Sequence, residues 1–347
     1  MNDTIYSYTF SELESYFQTI GEPSFRARQV FQWLYQKRAT SFLEMTNLPQ
    51  ALRNRLKDTF DLDLLTVNTT QVSKDGTVKF LFETRDHCFI ESVLMEHDYG
   101  YSVCVSTQVG CKMGCTFCAS TIGGMKRNLS CGEMVAQVIG IQRLLDTRKE
   151  RIRSIVLMGS GEPFDNFEET IRFIHIINDP RGLGISQRHI TVSTCGIVPK
   201  IYAFADLNLQ VTLAVSLHAT TDEVRSALMP INRAYPLADL IKSMQYYNER
   251  TNRRISIEFG LVNGVNDTIE EADRLAELVK PLFCHVNLIP INYVFERGYE
   301  KPSLETIRTF KRRLEDHGVN VTIRREKGAD IDAACGQLRA KKISEVK

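Results

Sequence analysis

The sequence predicts an α/β protein whose main body is a partial (β/α)6 barrel. From position 101 onward, short apolar runs alternate with helical stretches through six repeats. The apolar runs are near-continuous, as in QVTLAVS at 210–216, which reads as a strand covered on both faces. Six units fall short of the eight that close a full barrel, so one side is expected to stay open.

Residues 1–60 read as a helical domain. Positions 10–20 are periodic, with Ser11 as the candidate N-cap. After Gly21-Glu22-Pro23, residues 25–38 place Phe25, Val30, Phe31 and Leu34 on an apolar stripe, with Arg26, Arg28, Lys37 and Arg38 elsewhere. Trp33 and Tyr35 in that helix fit core packing better than an exposed stacking role. Residues 41–60 give a further helical stretch. Residues 61–96 change character: 64–72, 78–82 and 89–95 are strand-like and Asp75-Gly76 is a hairpin signal, so a small β extension leads into the core. The core spans 97–327. Its strands are expected at 103–106, 154–158, 189–193, 210–216, 255–261 and 285–290, with helices at 132–146, 168–178, 237–250 and 269–282. A last helix at 304–317 and a strand at 319–324 lead into a tail, 328–347.

Composition is that of a soluble globular protein: 347 residues, 43% hydrophobic and 24% charged. The start, MNDTIYSYTF, lacks a basic stretch followed by an apolar one, so no secretory signal is expected. No apolar run approaches the roughly 20 residues of a membrane span. Nine cysteines, an odd number without small-domain spacing, favour a reducing cytoplasm. The net charge of +1 announces no polyanion binder, but its distribution is uneven. Residues 301–347 hold twelve Lys/Arg against seven Asp/Glu, a surplus of five that leaves the first 300 at −4. Arg324, Arg325, Lys327, Arg339, Lys341 and Lys342 could hold phosphates, or form a solvated charged surface.

The chain is organised around YSVCVSTQVGCKMGCTFCAS, 101–120. Cys111, Cys115 and Cys118 stand in C-x3-C-x2-C spacing on a glycine-broken loop after a short buried strand. Thiolates this close repel unless a metal neutralises them. Structural zinc usually takes four ligands, often as two C-x2-C pairs. Three thiolates with uneven spacing fit a 4Fe–4S cube held at three irons, leaving one open. Buried free thiols, or a zinc loop completed from elsewhere, are the alternatives.

These cysteines resemble the radical S-adenosylmethionine (SAM) superfamily. Together with QVGCKMGCTFCAST, Gly161-Glu162-Pro163 and DIDAACGQL at 330–338, they are similar to a narrower group, the RNA adenosine methyltransferases of the RlmN and Cfr type. The resemblance covers nearly the whole chain. It implies a radical SAM barrel, an N-terminal helical RNA-binding domain and a catalytic C-terminal tail.

Ligands of parallel α/β folds bind at the carboxyl ends of the strands. By resemblance, Gly161 and Glu162 hold the SAM amino group. The family commonly has methionine where this chain has Ser160. Ser193 could bond ribose or carboxylate, or cap a turn. Ser216, Leu217 and His218 match the family's SAM contact, although a lone strand-end histidine is more often structural. Asn292 matches a contact to the nucleoside of SAM, and the residues after it differ from the family's commoner Asn-Pro. Glu91 lies in a strand, where a lone carboxylate is usually exposed; the family places a proposed proton acceptor there. The resemblance makes Cys335 the methyl carrier and Cys104 its resolving partner. Taken alone, Cys335 would read as a structural thiol. Cys88, Cys131, Cys195 and Cys284 match no motif and read as core or incidental.

The resemblance implies two SAM per turnover. One methylates Cys335; the second, on the open iron, yields a 5′-deoxyadenosyl radical that takes hydrogen from the S-methyl group. The carbon then adds to adenine, a base takes the ring proton, and Cys104 releases the product, leaving a disulfide to be reduced. The implied substrates are carbon 2 of an adenosine in 23S rRNA at the peptidyl-transferase centre, before full ribosome assembly, and of the adenosine next to the tRNA anticodon. A flavodoxin- or ferredoxin-type donor, a monomer and no membrane are also expected. Methylation at carbon 8, conferring antibiotic resistance, is the alternative within the family; STIGGMKRNLS and LIPIN look closer to the carbon-2 enzymes. A non-catalytic RNA-binding protein with a structural metal cluster is the alternative of another class.

Overall fold

In the computed structural model the described residues are 3–338. Arg339, Lys341 and Lys342 lie outside them. The chain opens with β1 (Asp3–Thr4), α1 (Phe10–Thr19), α2 (Phe25–Tyr35), α3 (Gln50–Thr59) and β2 (Phe60–Asp61), and β1 pairs in parallel with β2. The cap of α1 is Thr9, not Ser11: Thr9 Oγ1 accepts from the Glu12 N–H, and the Glu12 carboxylate accepts from the Thr9 N–H. A capping side chain must stand one residue before the first helical one to reach the third N–H, and Ser11 is already inside the helix. The buried stripe of α2 is Ala27, Val30, Phe31, Leu34 and Tyr35. Phe25, expected on it, is 55% exposed because it opens the helix, before the stripe has turned inward. Trp33 is half-buried, donating to Asn47 at 2.6 Å with the Lys37 ammonium 3.6 Å from its ring centre.

Next come β3 (Leu65–Val72), β4 (Val78–Thr84), β5 (Phe89–His97), β6 (Gly100–Cys104) and a small ribbon of β7 (Gln108–Gly110) with β8 (Met125–Asn128). The repeats follow as α4 (Cys131–Asp146), β9 (Ile152–Leu157), α5 (Phe167–Asn178), β10 (Ile190–Thr194), α6 (Val198–Asp206), β11 (Thr212–Ser216), α7 (Asp222–Leu228), α8 (Leu237–Thr251), β12 (Ile255–Leu261), α9 (Ile269–Val279), β13 (Cys284–Pro290), α10 (Leu304–Asp316) and β14 (Val321–Ile323). The sheet has ten strands in the order β14-β13-β12-β11-β10-β9-β6-β5-β4-β3. From β6 to β14 all pairings are parallel, and β3–β5 extend the same sheet as an antiparallel meander. The β extension is thus continuous with the barrel wall, and Cys104 is placed opposite Val93 of β5.

β12 is buried at six of its seven positions and β10 and β11 at three of five each, with no exposed residue in any of the three, as strands covered on both faces require. The N-terminal helices share that core. Arg38 of the α2 end pairs with Asp146 of α4, and Arg172 of α5 bonds Glu12 at 2.7 Å. Among the described residues no helix is long and apolar enough to cross a membrane.

Candidate functional site

The three loop cysteines follow β7 at the carboxyl end of the sheet. A Cβ on Gly110 would lie 2.0 Å from the Gly124 carbonyl oxygen, so only glycine lets the ribbon close there. That closure holds the next residue: the Cys111 N–H donates to the same Gly124 oxygen at 3.1 Å. Cys115 and Cys118 share a turn, with the Cys118 N–H on the Cys115 carbonyl at 3.2 Å. Tyr299 reaches Thr116 at 2.9 Å, and Arg297 donates to the Cys118 carbonyl at 3.2 Å.

All three thiols are free, and burial is the largest cause of their raised pKa values, with Cys111 pushed up to about 12. Cys115 feels the charges of both others. Among the described residues no three Cys, His, Asp or Glu side chains gather tightly enough to hold a single metal ion. A cube with each thiolate on its own iron is a wider arrangement, and its positive irons would offset the thiolate repulsion. The donor set therefore fits an iron–sulfur cluster better than structural zinc.

Beside the loop lies Gly159-Ser160-Gly161-Glu162-Pro163. Packing against the preceding loop sets the glycines here. A Cβ on Gly159 would stand 2.6 Å from Ser106 Oγ, and one on Gly161, whose φ is +108°, 2.6 Å from Gln108 Cβ. Both are needed for loop-to-loop packing. Ser160 fits the same packing: its carbonyl accepts from Thr107 and Gln108, and its hydroxyl meets Ser120 at 3.2 Å. Glu162 is buried, accepting from the Cys195 N–H at 2.8 Å and the Phe164 N–H at 3.0 Å, while burial raises its pKa.

Ser193 of β10 stands in register with Ala214 of β11, and Ser216 is two residues further on the same face, towards the barrel interior. Leu217 is fully buried. His218 has φ +57° and accepts the Gly260 N–H on Nδ1 at 2.7 Å, so its proton sits on Nε2. Burial, then the Arg225 charge, lowers its pKa to about 3. Its ring packs edge-on against Phe117 of the cysteine loop, centroids 4.9 Å apart.

Arg225, which no motif flagged, is fully buried and ties these strand ends together. Its guanidinium donates to the carbonyls of Cys195 (2.8 Å), Ser216 (3.1 Å) and Leu217 (3.1 Å) and to Asn232 (3.0 Å). Cys195 is a buried core residue, as read, and its backbone N–H and carbonyl link Glu162 to Arg225.

The tail folds over this floor. The Ala119 N–H donates to the Gly336 carbonyl at 2.7 Å, and Ser120 Oγ to that of Leu338 at 2.7 Å. Asn292 donates to the Cys335 carbonyl at 2.9 Å. At the other end Asp330 accepts from Ser73 Oγ and the Lys74 N–H, and Asp75 from the Gly328 N–H. Cys335 and Cys104 consequently line one cavity of about 1530 Å³ inside the barrel. Burial first, then the nearby Cys335, pushes the Cys104 thiol up to about 12.

Glu91 is 3% exposed, contrary to what a lone strand carboxylate suggests, because Lys79 pairs with it at 3.3 Å. Lys79 also donates to the Asp332 carbonyl, 3.2 Å away. Arg324, grouped by sequence with phosphate-holding residues, turns inward instead. It lies 3.8 Å from buried Glu258, which accepts from Ser256 and Asn287, and faces Cys104 and Cys335, whose charge potential raises its pKa. Glu258 and Asn287 escaped the sequence reading because nothing marks one polar residue in an apolar strand as inward-facing. No local pattern could have flagged Arg225, whose partners come from the ends of β10 and β11 and from Asn232 beyond α7.

Comparison with known proteins accords with this geometry. Residues 4–62 match the ribosomal RNA large subunit methyltransferase N-terminal domain, and residues 105–279 the radical SAM superfamily. The chain is 58% identical over 99% of its length, and 94% of the relative's, to a protein of Geobacillus kaustophilus named "probable dual-specificity RNA methyltransferase RlmN". A Bacillus licheniformis protein of the same name is 59% identical, over 99% of this chain and 95% of its own. The crystal structure of a radical SAM methyltransferase from Sphaerobacter thermophilus superposes with a TM-score of 0.95 at 44% identity, covering 98% of this chain and all of that one.

Proposed function

We propose, for a chain that belongs to the RlmN family of radical SAM RNA methyltransferases, that it methylates carbon 2 of adenosine in 23S rRNA and of the adenosine next to the tRNA anticodon. The observation that carries this reading is the meeting of Cys104 and Cys335 in one cavity beside the three-cysteine loop. A plain methyl transfer needs one thiol at most; a strand-end thiol facing a tail thiol suits a covalent intermediate and its release.

Cys111, Cys115 and Cys118 would hold the 4Fe–4S cluster. When bound, the cluster supplies the electron that cleaves SAM to a 5′-deoxyadenosyl radical. Gly161, Glu162, Ser193, Ser216, Leu217, His218 and Asn292 border the SAM site. Glu162 reaches it through the backbone it fixes, and Asn292 also anchors Cys335. Cys335 accepts a methyl group from a first SAM; that methyl would give a hydrogen atom to the 5′-deoxyadenosyl radical, and its carbon would then bridge Cys335 to adenine, the surplus electron leaving to the bound cluster. Glu91, held by Lys79, takes the ring proton. Cys104, as thiolate, attacks the Cys335 sulfur; the carbon–sulfur bond breaks with its electron pair going to the carbon, which takes up a proton to become the methyl group, and a Cys104–Cys335 disulfide remains. A flavodoxin- or ferredoxin-type protein then supplies electrons. The protein acts as a cytoplasmic monomer on 23S rRNA before the ribosome is fully assembled.

Mass spectrometry of rRNA and tRNA from cells with and without the protein tests this. 2-Methyladenosine should disappear with it; 8-methyladenosine, or no change, would overturn the carbon-2 assignment. Anaerobic SAM cleavage separates an enzyme from a non-catalytic RNA binder.

A further inference from the structure

Resting on the RNA methyltransferase reading, we propose that Tyr99 and Arg153 grip a nucleotide flanking the target adenosine, where the cysteine-lined cavity opens at the β5–β6 turn. Two devices hold Arg153 beside that turn, on the second cavity that Tyr99 shares. The β6–β9 register runs Tyr101↔Ile152 and then Ser102↔Ser154, so Arg153 is the unopposed residue of a bulge. Bulges re-aim side chains, often beside functional sites. Its stem also crosses Gly100, whose φ is +115°: a Cβ there would lie 2.7 Å from Arg153 Cγ. Any other residue at 100 would displace the arginine. Arg153 is exposed, with no hydrogen bond or ion pair among the described residues, unlike Arg38 and Arg127.

Tyr99 supplies the partner surface. Its ring is 67% exposed and lies flat on His97, centroids 4.7 Å apart at 6°, and His97 is fixed by Ser102 at 2.8 Å. One face of the ring is backed and the other open. Tyr99 lines the Cys104–Cys335 cavity and also a second one of about 820 Å³, which Arg153 lines. The acids Asp98 and Glu150 border the same openings, so there is no broad positive field. One backed aromatic face and one unpaired guanidinium suit a single nucleotide: the ring stacks on the base and the charge meets its phosphodiester.

The test uses the reconstituted enzyme and an RNA hairpin with an adenosine in its loop. Tyr99→Ala should weaken hairpin binding roughly tenfold or more, while Tyr99→Phe keeps it. Arg153→Ala should lower the slope of log affinity against log salt by about 0.7, the value for one single-strand phosphate. Iron–sulfur absorbance and RNA-independent SAM cleavage should stay as in the unchanged enzyme. Unaltered binding and slope in both Ala variants would overturn the proposal, as would loss of the cluster signal, which would make these residues structural. Failure of the unchanged enzyme to methylate the hairpin or extracted rRNA would instead overturn the RNA methyltransferase reading.

Discussion

The cysteine loop and the tail both carry thiols, but they are attached to the molecule in opposite ways. The loop is set in buried polar groups with several partners each. Gln108 is fully buried, donates to Asn128 at 2.8 Å and Asp165 at 2.7 Å, and accepts the Glu162 N–H at 2.9 Å. Removing such a group leaves others buried without partners, which costs more than the bond itself. The tail is held at spaced points: Ser73 and the Lys74 N–H on Asp330, Asp75 on the Gly328 N–H, Lys79 on the Asp332 carbonyl, Asn292 on the Cys335 carbonyl, the Ala119 N–H on the Gly336 carbonyl and Ser120 on that of Leu338. The bonds between neutral groups contribute only about 0.5–1.5 kcal/mol each, and those that involve a charged side chain about 1.5–3. The loop is therefore part of the barrel, and the tail is a separable arm laid on it. That division suits a loop that keeps one ligand and a thiol that must meet SAM, RNA and Cys104 in turn.

The largest expected effect tests this division. Cys111→Ala, Cys115→Ala or Cys118→Ala should abolish both iron–sulfur absorbance and SAM cleavage. Cys335→Ala should keep both but form no methylated RNA and no adduct. Cys104→Ala should accumulate a protein–RNA adduct, seen as a nuclease-sensitive shifted band on denaturing gels. A Cys335→Ala protein without cluster absorbance would show that the two regions are one unit.

A smaller effect is expected from loosening the arm. Asp330→Ala removes the anchor on Ser73 and the Lys74 N–H, far from the cluster. Misplacing Cys335 by an ångström should slow single-turnover methylation about 10- to 100-fold with cluster absorbance unchanged. Wild-type rates would mean that the β3–β4 turn does not position the tail.

The smallest effect belongs to the floor of the loop. Burial, then Arg225, holds the His218 pKa at about 3, so the folded state refuses a proton that the unfolded chain accepts below about 6.5. The stability due to neutral His218 is complete above that value and declines as pH falls towards 3, by about 1.4 kcal/mol per unit. Urea unfolding at pH 7 and pH 5 should show a loss about 2 kcal/mol larger in the native protein than in His218→Gln. Equal losses would place His218 in water.

Much of this was legible in the chain. Ile255–Leu261 was read to the residue, since a short, mostly apolar run between two helical stretches has few alternatives. The thiol motif and DIDAACGQL pointed to Cys111, Cys115, Cys118 and Cys335 as candidates through resemblance, because those strings occupy contiguous positions. Short α6 and α7 were not picked out, being too brief for periodicity to stand out. That Arg324 points into the cavity was not legible, because its placement depends on Glu258, 66 positions away.

What the sequence alone determined is whatever local spacing encodes: strand and helix alternation, the open barrel, the cysteine triplet and the unusual tail. Tertiary structure alone decided which side of each strand faces inward, and so that Glu91 is buried against Lys79 and Glu258 against Arg324. It also showed why Gly159 and Gly161 must lack side chains, and which bonds lay Cys335 beside Cys104. The physical reason is that a buried charge is tolerated only beside its partner. That partner lies on another strand or on the tail, at a separation no local pattern records.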